Sequence, residues 1–193
     1  VGFNGKNYKH KNVYGSEISA LRVAESLSDV YDVYIFINIP DEDEIVHNNV
    51  KYINMFKLKN FKNIDILIIL RYINYFIYFK SIAKKTFIWA QDMILNPYYC
   101  GNTLHDNATS LVYNVKDKID GIISLSEWHK NNIINTLGIN FIKNYIIENP
   151  LDISMYTDNV TKIKNRFIYM SAPNRGLSIL LDCLIYIQKY IED

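Results

Sequence analysis

Ile64-Asp65-Ile66-Leu67-Ile68-Ile69-Leu70 carries six aliphatic side chains in seven positions. A continuous apolar run of this length is the pattern of a strand buried on both faces of a parallel sheet. The surrounding chain alternates strand-like and helix-like segments. Upstream, Val1-Gly2-Phe3 reads as the end of a first strand. After a polar loop, Gly15-Ser16-Glu17 leads into a helix with Ala20, Val23, Ala24 and Leu27 on its apolar face and Ser16 as candidate N-cap. Residues 30–39 are β-branched and aromatic and predict a strand closed by Pro40; residues 50–56 predict a shorter one.

Downstream, residues 72–85 predict a helix, 86–90 a strand, 104–118 a helix and 121–125 a strand. Residues 127–137 predict a helix capped by Ser124 or Ser126, Ser124 having capping-box spacing to Glu127. Residues 145–147 predict the last strand of this series. Strand–helix alternation with gaps short enough for crossovers predicts a doubly wound, mainly parallel, Rossmann-like α/β sheet. Such a sheet binds ligands at the C-terminal ends of its strands. The polar segment Asp158-Asn159-Val160-Thr161-Lys162-Ile163-Lys164-Asn165 predicts a linker between a domain of residues 1–157 and the beginning of another, 166–193.

In that second part, Phe167-Ile168-Tyr169-Met170 reads as a buried strand. A turn with Pro173, Asn174 and Gly176 follows, and then Leu177, Leu180, Leu181, Leu184, Ile187 and Ile191 recur at helical spacing. Strand, turn, helix sets free N–H groups against an anion, and Arg175 adds a cation suited to phosphate. The competing reading is an ordinary turn whose arginine points at water.

The composition, 49% apolar and 21% charged, is that of a globular chain. A net charge of +1 argues against a nucleic-acid partner and gives no support to a membrane-surface one. Ile, Asn, Lys and Tyr dominate in the manner of an AT-rich genome, which makes the four arginines (Arg22, Arg71, Arg166, Arg175) worth weighing. Cys100 and Cys183 lie far apart without metal spacing, and no signal peptide is visible; reduced thiols and a cytoplasmic location are expected. The start at Val1 suggests a fragment. Asp65, Arg71 and Asn74 interrupt the most apolar stretch, so it is not expected to span a bilayer.

Polar clusters follow the predicted strands: Gly15-Ser16-Glu17, Gln91-Asp92, Ser124 to His129, Glu148-Asn149 and Asn174-Arg175-Gly176. No GxGxxG, P-loop or GxSxG motif is present. His10, His47, His105 and His129 are scattered and read as surface or packing residues. The acidic run 41–44 reads as a solvated turn rather than a metal loop. The tyrosines of residues 72–78 read as packing a helix on the sheet.

Taken in order, these clusters resemble the family 4 (group 1) glycosyltransferases, which have the two-Rossmann-domain GT-B fold. Tyr14-Gly15-Ser16-Glu17 is similar to the family's Gly-Gly-x-Glu-type motif, and Trp89-Ala90-Gln91-Asp92 to its Trp-x-His-Asp strand end. Ile123-Ser124-Leu125-Ser126-Glu127-Trp128 is similar to its valine-Ser-x-Ser segment. Ile147-Glu148-Asn149-Pro150-Leu151-Asp152 is similar to the Pro-Asn-Gly-Val-Asp segment before the interdomain linker, and Arg175-Gly176 to a Lys-Gly or Arg-Gly pair that opens the second domain. The ordered set spans nearly the whole chain.

The resemblance implies a retaining, metal-independent hexosyltransferase-like enzyme with no cofactor. Its partners would be a nucleotide-sugar donor and a carbohydrate, lipid or protein acceptor. Gln91 and Asp92 would be catalytic. Gly15, Ser16, Asn174, Arg175 and Gly176 would bind the donor, with Arg175 facing its diphosphate. Glu17 and Ser126 would bind the acceptor. Gln91 stands where many relatives have His, which reduces that role to hydrogen bonding. The family's Glu-x7-Glu segment is absent from these residues, so the 193 residues alone would be an inactive, incomplete enzyme. The runner-up is a non-catalytic α/β nucleotide- or partner-binding module of the same fold, and a third reading is an unrelated flavodoxin-like or nucleotide-binding domain.

Overall fold

Four parallel strands carry the candidate site: β4 (Ile64–Leu70), β5 (Ala83–Trp89), β8 (Gly121–Ser124) and β9 (Asn144–Ile146), in the order β4-β5-β8-β9. This computed structural model describes residues 2–79, 83–93, 95, 98–100, 103–105, 108–155 and 161–190, with backbone alone for 98–100, 103–105, 108–111 and 155. The chain falls into two compact units, Val1–Asp152 and Ile153–Asp193.

The register Ile69↔Ile88↔Ile122 lines up one face of the sheet. Onto that face pack Val112 and Val115 of α3 (Ala108–Val115) and Ile133 and Leu137 of α4 (Glu127–Leu137), with Ile73, Leu95, Ile139 and Ile142 closing the cluster. Burial of these branched side chains supplies the cohesion of this half, at roughly 1.5–3 kcal/mol per fully buried aliphatic side chain. A second sheet, β1-β3-β2, is made from β1 (Tyr34–Ile37), β2 (Ile45–His47) and β3 (Val50–Asn54). β1 runs parallel to β3, and β2 antiparallel to it. Helix α1 (Gly15–Leu27) joins this sheet in a separate buried cluster of Phe3, Leu21, Ala24, Ile39, Val50 and Tyr52. The unit is therefore mixed α/β with an all-parallel sheet and helices packed on it.

Several sequence expectations are corrected. The strand expected over 30–39 forms at 34–37, and Val30 and Tyr31 are exposed. A hairpin joins β2 to β3 through Asn48 and Asn49, both at positive φ (46° and 58°), the arrangement of a tight turn whose twist matches the strands. The helix expected over 72–85 shrinks to α2 (Tyr75–Tyr78), because Ala83 to Lys85 join β5. Residues 104–118 hold β7 (Thr103–His105), paired with β6 (Tyr98–Cys100), before α3 begins. In α1 the buried side chains are Ser19, Leu21 and Ala24, and Tyr14 rather than Ser16 occupies the N-cap position. Of the tyrosines at 72–78, Tyr72 and Tyr78 are exposed, while Phe76 packs on the sheet cluster. The acidic run is a short turn in which Glu44 accepts the Asn54 N–H at 2.9 Å and pairs with Lys57.

In the second unit, α5 (Leu177–Ile187) follows a turn at Pro173–Arg175 and Gly176, whose φ of 101° suits glycine. Of the residues expected at helical spacing, Leu177, Leu180, Leu184 and Ile187 form its half-buried stripe, Leu181 is exposed, and Ile191 lies outside the described residues. Phe167 to Met170 form no strand and are largely exposed, Met170 at 85%. Within residues 153–193 no described segment offers them a strand partner. The predicted linker lies partly outside the described residues. Cys183 is a free, exposed thiol, and the Cys100 side chain lies outside the described set. No described helix is long and apolar enough to cross a membrane.

Candidate functional site at the C-terminal rim of the parallel sheet

Parallel strands deliver their C-terminal ends to one rim, and the site is built there from the loops that leave β4, β5, β8 and β9. Leaving β4, the chain turns at Arg71, a non-glycine residue in the left-handed region (φ 68°) whose N–H donates to the Trp89 carbonyl at 2.9 Å. Such a backbone costs about 1–2 kcal/mol for a residue bearing a Cβ. It aims the guanidinium across the rim. Nε donates to Asp92 Oδ2 at 2.9 Å and Nη2 to Oδ1 at 3.3 Å, a fork on one carboxylate. Nη1 donates to Ser16 Oγ at 3.3 Å and lies 3.8 Å from Glu17 Oε1. The Tyr72 ring lies 5.3 Å beneath the guanidinium carbon.

Burial pulls the Arg71 guanidinium down, but the Asp92 hydrogen bond and the nearby charges of Asp92 and Glu17 more than offset it and hold it above its usual value. The group is a permanent cation. Two carboxylates on one guanidinium leave the cluster with a single net negative charge.

Asp92 is held a second way. His129 is buried on α4 at 5% exposure. The Leu125 N–H donates to its Nδ1 at 3.1 Å, so the neutral ring carries its proton on Nε2, which donates to the Asp92 carbonyl at 2.5 Å. The local cause is the cap of α4: Ser126 Oγ accepts the His129 N–H at 3.1 Å and fixes the first turn. Ser124, the other candidate cap, is instead the fully buried last residue of β8, with no hydrogen-bond partner for its Oγ. Asn132 on the same helix donates to the Met93 carbonyl. Beyond β5 and β9, Gln91 and Asn149 exchange amide hydrogen bonds of 2.8 and 3.0 Å.

Of the residues expected in the site, Ser16, Glu17 and Asp92 therefore gather on Arg71, Gln91 is engaged by Asn149, and exposed Ser126 caps α4. Gly15 begins α1 with nothing within 4 Å of where a Cβ would stand, so no neighbour requires glycine there. Asn174, Arg175 and Gly176 belong to the other unit, where the first two are exposed in the turn before α5. Arg71 and His129 are the residues that the expected set misses. Arg71 stands directly after the most strand-like run and is among the few arginines, which is the signal that marks it.

The rim offers carboxylate and amide oxygens beside an open helix start, groups that accept hydrogen bonds from hydroxyls. Its cation is already neutralised, so it is poorly suited to a phosphate. Among the described residues no group of three or more His, Cys, Asp or Glu could hold a metal ion. Comparison with protein-family models, with curated proteins and with solved structures finds no match to this chain.

Proposed function

We propose that residues 1–152 are the acceptor-side domain of a glycosyltransferase-like protein and that the Arg71–Asp92–Glu17 rim recognises hydroxyl groups of a sugar-bearing acceptor. The observation that carries this reading is that Ser16, Glu17 and Asp92, three of the positions in the resemblance, share one guanidinium although up to 76 residues separate them. A carboxylate pair fixed by an arginine accepts hydroxyl hydrogen bonds in a set geometry, which is what positions a nucleophilic oxygen for transfer. Donor binding falls in this reading to Asn174, Arg175 and Gly176, where the α5 N-terminus and an exposed arginine suit a diphosphate. Charge accumulating on a leaving nucleoside diphosphate is what such a cation would stabilise.

Saturation-transfer NMR with UDP, GDP and a panel of methyl glycosides tests it. The expected results are glycoside binding abolished by Asp92→Asn and nucleotide binding abolished by Arg175→Ala. Binding of neither ligand at low salt would refute the reading in favour of a non-catalytic, partner-binding module.

A further inference from the structure

Two strands of the first unit, β1 and β4, each use one edge and leave the other open among the described residues: β1 pairs with β3 alone and β4 with β5 alone. β4 is seven residues long and apolar, and its Ile66 and Ile68 are 60% and 41% exposed. Apart from Asp65 near its start, which pairs with Lys84, the strand carries no charge, and a long apolar edge is a template for another strand. The unit also has two buried clusters with no shared residue, one under each sheet, where a domain of this size ordinarily builds one.

Gly2 is packed against the end of β1. A Cβ on Gly2 would lie 2.8 Å from the Asn38 carbonyl oxygen and 2.9 Å from Ile39 Cγ2, so the backbone passes hard against the end of β1. The next carbonyl, that of Ile39, is taken by the Asn54 side chain at the end of β3. The chain bends at Asn38, where the Ile39 N–H donates to the Ile37 carbonyl. The Val33 carbonyl also faces β3, accepting the Lys51 N–H, and the alternation of carbonyls along the strand puts that of Asn38 on the opposite side from those of Val33 and Ile39. Gly2 therefore lies on the side of β1 away from β3, its open edge. Phe3 then turns into the buried cluster, and α1 follows at the C-terminal rim.

We propose that one further parallel strand, an extended apolar segment running directly into Gly2, lies between β1 and β4 and joins the two sheets into one. It would pair with both open edges, and its side chains would link the two buried clusters. Its C-terminal end would emerge at the rim between α1 and Arg71, so completion of the sheet would fix the distance between Ser16 and Asp92. This inference is independent of the proposed function.

The test extends the chain upstream of Val1 with the residues its gene encodes there and follows amide hydrogen exchange in both forms. In an extended chain that remains a monomer, the alternate amides of Tyr34–Ile37 and Ile64–Leu70 that point to the open edges should exchange about 100-fold more slowly or better, the protection of a paired core strand. A proline in the middle of the added segment removes ladder donors and should return them to the rate of the shorter chain. Unchanged exchange at either edge would overturn the proposal, as would a gene with no apolar extended segment there. Protection that rises with protein concentration in the shorter chain would also overturn it, because the edges would then belong to a second copy.

Discussion

Replacing Arg71 with alanine and, separately, with glycine divides its side-chain role from its backbone role. The side chain makes a two-point contact with Asp92 at 2.9 and 3.3 Å and a weaker one with Ser16, and is 19% exposed. Hydrogen bonds to charged groups contribute about 1.5–3 kcal/mol, and partial exposure of the Asp92 partner screens part of that. Arg71→Ala should therefore destabilise the first unit by about 2 kcal/mol. Alanine keeps the cost of a Cβ at φ 68°, whereas glycine removes it at the expense of a more flexible unfolded chain. Arg71→Gly should thus be more stable than Arg71→Ala by about 1 kcal/mol. Urea unfolding followed by the fluorescence of Trp89, buried in β5, reads both values. A double-mutant cycle with Asp92→Asn should show coupling of about 1 kcal/mol or more. Glycine no better than alanine, or additive effects with Asp92→Asn, would refute the account of this turn.

Three further outcomes follow from local geometry. Ser126→Ala should cost about 1 kcal/mol in urea melts, the loss of one helix cap, while Ser124→Ala at the unpartnered buried hydroxyl should cost clearly less; the reverse order would contradict the assignment of the cap. Gly5→Ala places a methyl 2.6 Å from the buried Tyr52 hydroxyl and should destabilise by about 1–3 kcal/mol, checked by thermal unfolding, with an unchanged midpoint counting against it. The Asp120 carboxyl is held below its usual value of 3.8 by Lys85 Nζ at 2.6 Å and the Thr86 N–H at 2.8 Å. Its folded-state pKa is depressed, so its contribution is complete above about pH 5 and lost as pH falls through the folded value, below 3.8. Asp120→Asn should flatten the acid limb of stability against pH, and an unaltered limb would exclude this pair as a cause of acid sensitivity.

Much of the parallel sheet was legible because its strands are short apolar runs with no competing period. Residues 64–70 and 121–124 form strands where expected, and α4 spans Glu127–Leu137 as its cap and spacing predict. Only the second of these strands is buried on both faces: Ile66 and Ile68 of β4 are exposed, so its apolar run overstated its burial. The failures are cases where a distant partner decided the local structure. Ala83-Lys84-Lys85 has no strand pattern, yet it pairs with β4, and its lysines find Asp65 and Asp120 at 2.6 Å across the ladder. Phe167 to Met170 have the pattern of a buried strand but no neighbour to pair with among the described residues of their unit. At the site, the rim positions of Ser16, Glu17 and Asp92 were legible from their place after strands and at a helix start. Arg71 as their common partner was not, because the left-handed turn that aims it is one that sequence patterns assign to glycine or asparagine.

The central claim, that the rim on Arg71 receives a hydroxyl-bearing sugar, is tested most directly by amide and indole chemical-shift mapping of the isotopically labelled chain titrated with methyl glycosides. The account predicts saturable shifts at Ser16, Glu17, Arg71 and Asp92 for at least one glycoside, absent in Asp92→Asn, with Asp120 at the opposite end of the sheet unmoved. Shifts confined to other surfaces, or saturable binding that survives Asp92→Asn unchanged, would contradict it.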